Sequence, residues 1–488
     1  MKIHFKYILA GLIFISIAAC KKTKDPDPEL TVSASTITFT GDGGTEDVTV
    51  AGNADWIIDN PAFSWLQVST TSGKSGSTVI HLTTLSPNGT AATRSGILYI
   101  SSSNGQGRRL IVSQAPTLYP NYNTSPIAPD MTGMTSNAVQ LAAKMRTGMG
   151  INFGNTMESP NEGDWQNSKL TESYIKYIKS LGFNSVRLPC NWVWTHLSDR
   201  SKAKIDPAWL ARVKEVVGWC VANDVYVILN AHADGGWLQD NINAFKKDSV
   251  NAMQKAIWEQ IATTMRDFDE HLIFAGANEP SADNAGQMAI LNGYHETFIK
   301  AVRSTGGRNS NRVLVVQGPH TNTSLTATLM TTMPHDPTPN RMMLEVHDYT
   351  PATFTILTDG DVSWGKMVYY WGAGNHSIIE PDRNATDGEE GVIAAEYQKM
   401  KQNFVDKGIP VILGEYAVWR RAPGLDKPTP KDQDMHNKSV DYWTTFTTKT
   451  MRANGLLPFW WEIGFMLDRA NNVVKDQRMY NALKEGYK

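Results

Sequence analysis

From Gly150 onward, short apolar runs recur at intervals, each separated from the next by a helical or irregular segment. This alternation limits the fold more than any other feature. The runs are residues 150–153, 185–188, 225–229, 272–275, 313–316, 343–346, 410–413 and 456–460. Runs of this length, rich in Val, Ile and Leu, suit parallel strands covered on both faces. Helical periodicity falls between them at residues 172–181, 207–222, 250–266, 289–303, 394–404 and 433–452, after a short helix at about 137–145. Parallel strands need crossovers of this kind, and eight such units predict a (β/α)8 barrel. A doubly wound sheet is the weaker reading, because no glycine-rich nucleotide turn follows the first run. Residues 351–390 are too irregular for a barrel helix and are expected to form a loop that shapes a cleft.

Such a barrel points every strand's C-terminal end at one mouth, so polar residues just past the runs converge although far apart in sequence. Arg187 ends the second run, and His232 follows the third in Leu229-Asn230-Ala231-His232-Ala233-Asp234-Gly235-Gly236-Trp237. Asn278-Glu279-Pro280 follows the fourth, His347-Asp348-Tyr349 the sixth, Glu415 the seventh and Trp461-Glu462 the eighth. Each alone has an ordinary reading as an ion pair, a hydrogen-bonded core histidine, a packing aromatic or a solvated carboxylate. Their collection at one mouth argues for chemistry, since residues needed only for stability need not gather there. Two carboxylic residues at one site are what glycoside cleavage uses, one to protonate the leaving oxygen and one to attack the anomeric carbon or activate water. That chemistry needs no metal and no cofactor. Trp165, Trp237, Trp364 and Trp371 fall in predicted loops, where an indole either stacks on a sugar face or packs the loop. The Gly235-Gly236 pair favours Trp237 as a platform.

Residues 30–115 are rich in Thr, Ser, Val and Gly, with alternating runs such as Val48-Thr49-Val50 and Ile97-Leu98-Tyr99-Ile100 between turn signals. This predicts an all-β sandwich of seven or eight strands. Residues 116–136, with Pro120, Pro126 and Pro129, read as an interdomain linker, and 137–488 as the barrel domain. A net charge of −2 leaves no electrostatic footprint for nucleic acid. The chain is expected to act as a monomer on a polysaccharide.

Residues 1–19 carry a basic start (Lys2, Lys6) and the apolar run Ile8 to Ile15, the pattern of a secretory signal. Ile17-Ala18-Ala19-Cys20 is similar to the box of bacterial lipoproteins, which implies lipidation of Cys20; a plain signal peptide cut near Ala19 is the alternative. Residues 20–29 then form a polar tether. An exported lipoprotein is expected, at the outer membrane and cell surface, touching the membrane only through this anchor. Cys190 and Cys220 fall on separate elements and are expected to be buried and free rather than paired.

The sandwich segment, with Trp56, Trp65-Leu66-Gln67-Val68 and Ile111-Val112-Ser113-Gln114-Ala115, resembles the immunoglobulin-like BACON domain. The family's name suggests sugar binding, but Trp56 and Trp65 sit among apolar residues and read as core, which favours a spacer. The barrel segment resembles glycoside hydrolase family 5, the retaining endo-glucanase family, and Gly150-Ile151-Asn152-Phe153-Gly154-Asn155-Thr156 looks like the first-strand motif of its subfamily 4, whose members cut β-1,4-glucans, xyloglucan and mixed-linkage glucan. The resemblance assigns Glu279 as acid/base, Glu415 as nucleophile, and Arg187, His232, Asn278, His347, Tyr349 and Trp461 as supporting groups. It departs at Ala233, where a second histidine is usual, and at Glu462-Ile463-Gly464, where Asp-Asn-Gly is usual, which puts substrate choice in doubt. A β-mannanase on the same barrel and a non-catalytic surface glycan binder are the alternatives. The roles require Glu415 ionised beside Arg187 and Tyr349, and Glu279 protonated with its pKa raised by the neighbouring Glu415.

Overall fold

The computed structural model describes residues 27–59, 64–90, 92–165, 167–358, 360–422 and 428–488. The expected leader and Cys20 lie outside them. The chain divides after Thr117 into two compact units.

The first unit is a β-sandwich. A four-stranded sheet contains Leu30–Val32, Thr45–Gly52, Gly76–Thr84 and Leu66–Val68, and a five-stranded sheet contains Thr36–Phe39, Gly107–Gln114, Arg94–Ser102, Trp56–Asp59 and Ser72–Gly73. Strand alternation turns Val48, Val50, Ile80 and Leu82 of one sheet onto Trp56, Leu98, Ile100 and Leu110 of the other. The strand beyond the expected seven or eight is Ser72–Gly73, too short to leave a pattern. Gly73 lies under the Trp56 indole, where a Cβ would stand 2.4 Å from the ring. Trp56 and Trp65 are both core, as read.

The second unit, Leu118–Lys488, is a closed parallel barrel. Its strands are, in order, Met149–Asn152, Phe183–Leu188, Tyr226–Asn230, Leu272–Ala275, Leu314–Asn322, Met342–His347, Val411–Tyr416 and Leu457–Trp460, and the first pairs with the eighth to close the ring. Strand parity builds two cores. Ile228, Ile273, Val315, Met343, Ile412 and Phe459 fill the interior, and the helix Ala138–Met145 packs Leu141 and Met145 into that same cluster. Val186, Val227, Leu229, Phe274, Val316, Leu344 and Leu413 face the surrounding helices. The same parity carries Arg187, Gln317, Glu345 and His347 into the interior near the mouth.

All six helices expected between the runs are present, with ends shifted by up to four residues, and so is the short helix before them. Thr323–Leu329 and Gln477–Gly486 complete the ring after the fifth and eighth strands. The first is a short Thr-rich helix capped by Asn322, and neither its length nor its composition signals helix.

Two expectations are corrected. Residues 118–136 are no free linker, because they lie on the barrel: Glu259 accepts from the Tyr122 backbone N–H at 2.8 Å, Asn123 Nδ2 donates to the Ser304 carbonyl at 2.8 Å, and Ile127–Pro129 pairs with Gly306–Gly307. The loop after the sixth strand has a core of its own, formed by Leu357, Met367, Tyr369 and Tyr370. Trp371 is fully buried in the main core, its ring against Tyr442 and Phe446 and its indole N–H donating to the Gly388 carbonyl at 2.9 Å, so it lines no cleft. Trp364 is exposed. Cys190 and Cys220 are free and buried, as expected.

Candidate active site

Arg187 is the fixed point at the mouth. Its guanidinium is fully buried and divides its donors among separate acceptors: Nη1 lies 2.8 Å from Glu415 Oε1 and 3.1 Å from Asn152 Oδ1, and Nη2 donates to Asn278 Oδ1 at 2.8 Å. Nε forms an ion pair with Glu345 Oε1 at 2.6 Å, its N–H off the line between the atoms. Because the Asn278 carbonyl oxygen is taken by Arg187, its amide NH2 is left to donate, at 3.5 Å from Gln239 Oε1. Tyr349 donates to the second oxygen of Glu415 at 3.0 Å. Burial, then the charges of Glu415 and Glu279, push the Tyr349 phenol well above its usual value, so it stays a donor.

His347 joins the carboxylates. Nδ1 lies 2.8 Å from Glu279 Oε1 and 3.8 Å from Glu415 Oε2, and Nε2 lies 3.2 Å from Glu345 Oε1. Burial lowers the ring's proton affinity, but Glu415, Glu279 and Glu345 together raise it to about 9. His347 is therefore an imidazolium at neutral pH. One oxygen or nitrogen from each of Glu279, His347 and Glu415 lies within 4.8 Å of the others, a spacing that could also hold a cation. With both ring N–H groups turned to carboxylates, His347 has no lone pair for a metal.

The expectation for Glu279 is reversed. Burial raises its carboxyl, but the hydrogen bond and charge of His347, with the charge of Arg187, outweigh burial and Glu345 and hold it below the ordinary value. Sequence placed Glu415 beside Glu279 but could not place the imidazolium between them. One proton is thus held by the His347–Glu279 pair, on the ring at rest. The Glu279 side chain is 38% exposed and that of Glu415 only 7%, so Glu279 is the carboxyl open to solvent.

His232 stacks on Trp461 with centroids 5.5 Å apart and planes 11° apart, and Nδ1 lies 3.9 Å from Glu415 Oε1. Burial and the charges of Arg187 and His347 drive its proton affinity well down, so it is neutral. Beside it opens a cavity of about 340 Å³ whose walls include Trp165, Trp194, Trp461, Ala233 and Gln239. Trp165, left open by the sequence between cleft and loop packing, stands in this wall. Trp237 is not in this wall: its ring packs on the barrel core and its N–H donates to Asp234 Oδ2 at 2.9 Å. Trp194 stands in the wall instead, and sequence reasoning passed over it.

Three buried carboxylates fasten the loops around this cavity. Asp234 accepts from the backbone N–H groups of Trp192, Val193 and Trp194 at 2.8–2.9 Å. Glu158 takes those of Asn155 and Thr156, and Glu462 those of Gly464, Met466 and Leu467. Burial raises all three against these bonds, Glu158 to about 7 and Asp234 to about 6. The Asp234 clamp bends its own loop, with Ala233 at φ 41° and Asp234 at φ 55°. Gly235 follows at φ 70°, and a Cβ there would stand 3.2 Å from the Trp194 ring. Strain of this kind persists only where the surroundings over-determine it.

Comparison with known proteins finds relatives for both units. The BACON model, described as an N-terminal binding domain, matches residues 54–115. A xyloglucan-specific endo-β-1,4-glucanase of Bacteroides ovatus is 31% identical over 99% of this chain and 96% of its own length. The solved Bacteroides ovatus GH5 xyloglucanase in complex with a XXXG heptasaccharide aligns with a TM-score of 0.68 at 30% identity, covering 94% of this chain and all of that one. A GH5-4 broad specificity endoglucanase from Bacteroides salanitronis aligns with a TM-score of 0.62 at 28% identity, over 72% of this chain and 96% of its own. The model for cellulase, glycosyl hydrolase family 5, matches residues 142–466, the barrel that carries every residue of this mouth, and the chain belongs to that family.

Proposed function

We propose that the protein is a retaining, endo-acting β-1,4-glucanase in which Glu415 is the nucleophile and Glu279 the acid/base. The observation that carries this reading is the separation of the two carboxylates, whose nearest oxygens lie within 4.8 Å. Retention uses a separation of about 5–5.5 Å, whereas inversion needs roughly 6.5–9.5 Å to seat a water. A Glu415 oxygen attacks C1 and forms a glycosyl ester as the C1–O bond breaks and the leaving oxygen takes the proton of the His347–Glu279 pair. As Glu415 loses its charge in that bond, the pair loses a negative neighbour that held its proton, and becomes a stronger acid when the leaving group needs one. Glu279 then takes a proton from water, which attacks C1 and frees Glu415, so the product keeps the β configuration. The Asn278 NH2 faces the 2-hydroxyl, and Trp461 with His232 forms the floor under the sugar.

The cavity beside His232 and Trp461 takes sugars on the non-reducing side of the cleavage point. Ala233 in its wall leaves room that a larger side chain would fill, so the cleft accepts a branched backbone such as xyloglucan as well as plain glucan. The named activities of the relatives favour glucan over mannan. The test is kcat/KM on xyloglucan, mixed-linkage glucan, carboxymethyl cellulose and glucomannan. Xyloglucan is expected to equal or exceed the unbranched glucans. If it ranks tenfold or more below them, about 1.4 kcal/mol of discrimination, the branch-accepting cleft is wrong.

The address follows from the leader. Cys20 carries a lipid that holds the enzyme at the outer membrane, with the sandwich as spacer. Cys20→Ser is expected to move the protein from the detergent-soluble membrane fraction to the soluble exported one; unchanged fractionation refutes lipidation.

A further inference from the structure

Glu345 lies two residues before His347 on the inner face of the sixth strand and is wholly buried. Its carboxylate reaches the strand ends that bear Glu279 and Glu415 through one intervening side chain. Oε1 meets Arg187 Nε at 2.6 Å, and Arg187 holds both Glu415 and Asn278. Oε1 also lies 3.2 Å from His347 Nε2, whose other nitrogen meets Glu279. Oε2 accepts from Gln317 Nε2 at 2.6 Å, and Gln317 Oε1 accepts the Ala277 N–H at 2.9 Å, on the strand end that bears Asn278 and Glu279. The seventh strand leaves space for it: a Cβ on Gly414, the residue before Glu415, would stand 2.1 Å from Glu345 Oε1.

Counting the charges shows what this carboxylate does. Arg187 faces two wholly or nearly buried anions, Glu345 and Glu415, and can balance only one. His347 is faced by Glu345, Glu279 and Glu415, with Arg187 and the neutral His232 and Tyr349 beyond. We propose that Glu345, which touches no substrate, is a positioning residue that keeps the ring of His347 doubly protonated, so that the proton for the leaving group is stored on the His347–Glu279 pair between turnovers. Burial raises the Glu345 carboxyl, but Arg187 and the His347 hydrogen bond outweigh it and hold it at about 2, so it remains an anion throughout the working range. The inference rests on the reading of Glu279 as the acid/base.

The test is kcat and KM as functions of pH for wild type, Glu345→Gln and Glu345→Asp on a soluble β-glucan and on an aryl cellobioside whose leaving group departs unprotonated. Removing a buried negative charge lets the pair give up its proton more readily. The alkaline limb of the Glu345→Gln profile should therefore move down by about one pH unit or more. On the alkaline limb, above about pH 9, its kcat on glucan should fall by about tenfold relative to wild type, with KM little changed and a smaller loss on the aryl substrate. Glu345→Asp keeps the charge and should keep the limb near that of wild type. A Glu345→Gln profile lowered equally at all pH values, on both substrates, would overturn the proposal in favour of a packing role. Should neither variant fold, the ring-nitrogen ¹⁵N shifts of His347 in the wild type decide: two protonated nitrogens at pH 7.5 support the proposal and a neutral ring overturns it. A wild type that releases no oligosaccharide refutes the hydrolase reading, while the ring-nitrogen measurement still decides the state of His347.

Discussion

Replacing Glu415 by alanine is expected to lower turnover of β-glucan by about 10⁴- to 10⁶-fold, the scale at which a nucleophile is lost from a machinery that acts as a unit. The more telling result is what restores activity. With Glu415→Ala, azide fits the space of the missing carboxylate and attacks an activated aryl β-glycoside directly, so the product is the α-glycosyl azide. With Glu279→Ala, the same aryl substrate still forms the ester on Glu415, because its leaving group departs without a proton; azide then releases the sugar as the β-glycosyl azide. The two carboxylates would thus be told apart by the configuration of one product, read by NMR. Exchange of the two products would reverse the roles, and rescue of neither variant would remove the covalent intermediate. The 38% exposure of Glu279 against 7% for Glu415 agrees with this assignment, since the acid/base must meet incoming water and the nucleophile must not.

Arg187→Ala is expected to cost about 3–5 kcal/mol of stability and at least about a hundredfold in kcat/KM. Its loss strands Glu345, which is wholly buried, and takes from Glu415 and Asn278 the donor that fixes each. Arg187→Lys should rescue little, because a single ammonium cannot serve acceptors that lie on three sides of a planar fork. Denaturant unfolding and steady-state kinetics on the two variants provide the check. A lysine variant within threefold of wild type would mean that charge alone matters at this position, and the geometric argument would fail.

The mouth was readable from sequence for a simple reason: most of its residues lie just past an apolar run, and an apolar run followed abruptly by Asn-Glu or His-Asp-Tyr is visible without a structure. Glu345 was not readable because it sits inside such a run, where a polar residue looks like an interruption; Gln317 directly follows a run, as His347 does, and was passed over. Only the closed ring shows that their parity points them inward, level with Arg187. The protonation of Glu279 failed for a related reason. Which of several mouth residues touches which is a matter of ångströms, and His347 at 2.8 Å reverses the sign that Glu415 alone would impose. Loop aromatics were the least legible. Trp371 and Trp165 both fall in predicted loops, but the first is sealed in the main core against Tyr442 and Phe446 while the second stands in the cavity wall.

The three acidic side chains beneath the cavity, Glu158, Asp234 and Glu462, grip main-chain amides, and Asp234 holds Trp194 by its backbone N–H and not by its indole. The lining and the frame that shapes it are therefore under separate control. An indole at position 194 could be exchanged for another group while the amides behind remain held as before. A wall of this construction is interchangeable in the way that cladding is, and a lineage carrying it is free to retune the glycan it accepts by point substitution, without having to discover a new way to fold its loops.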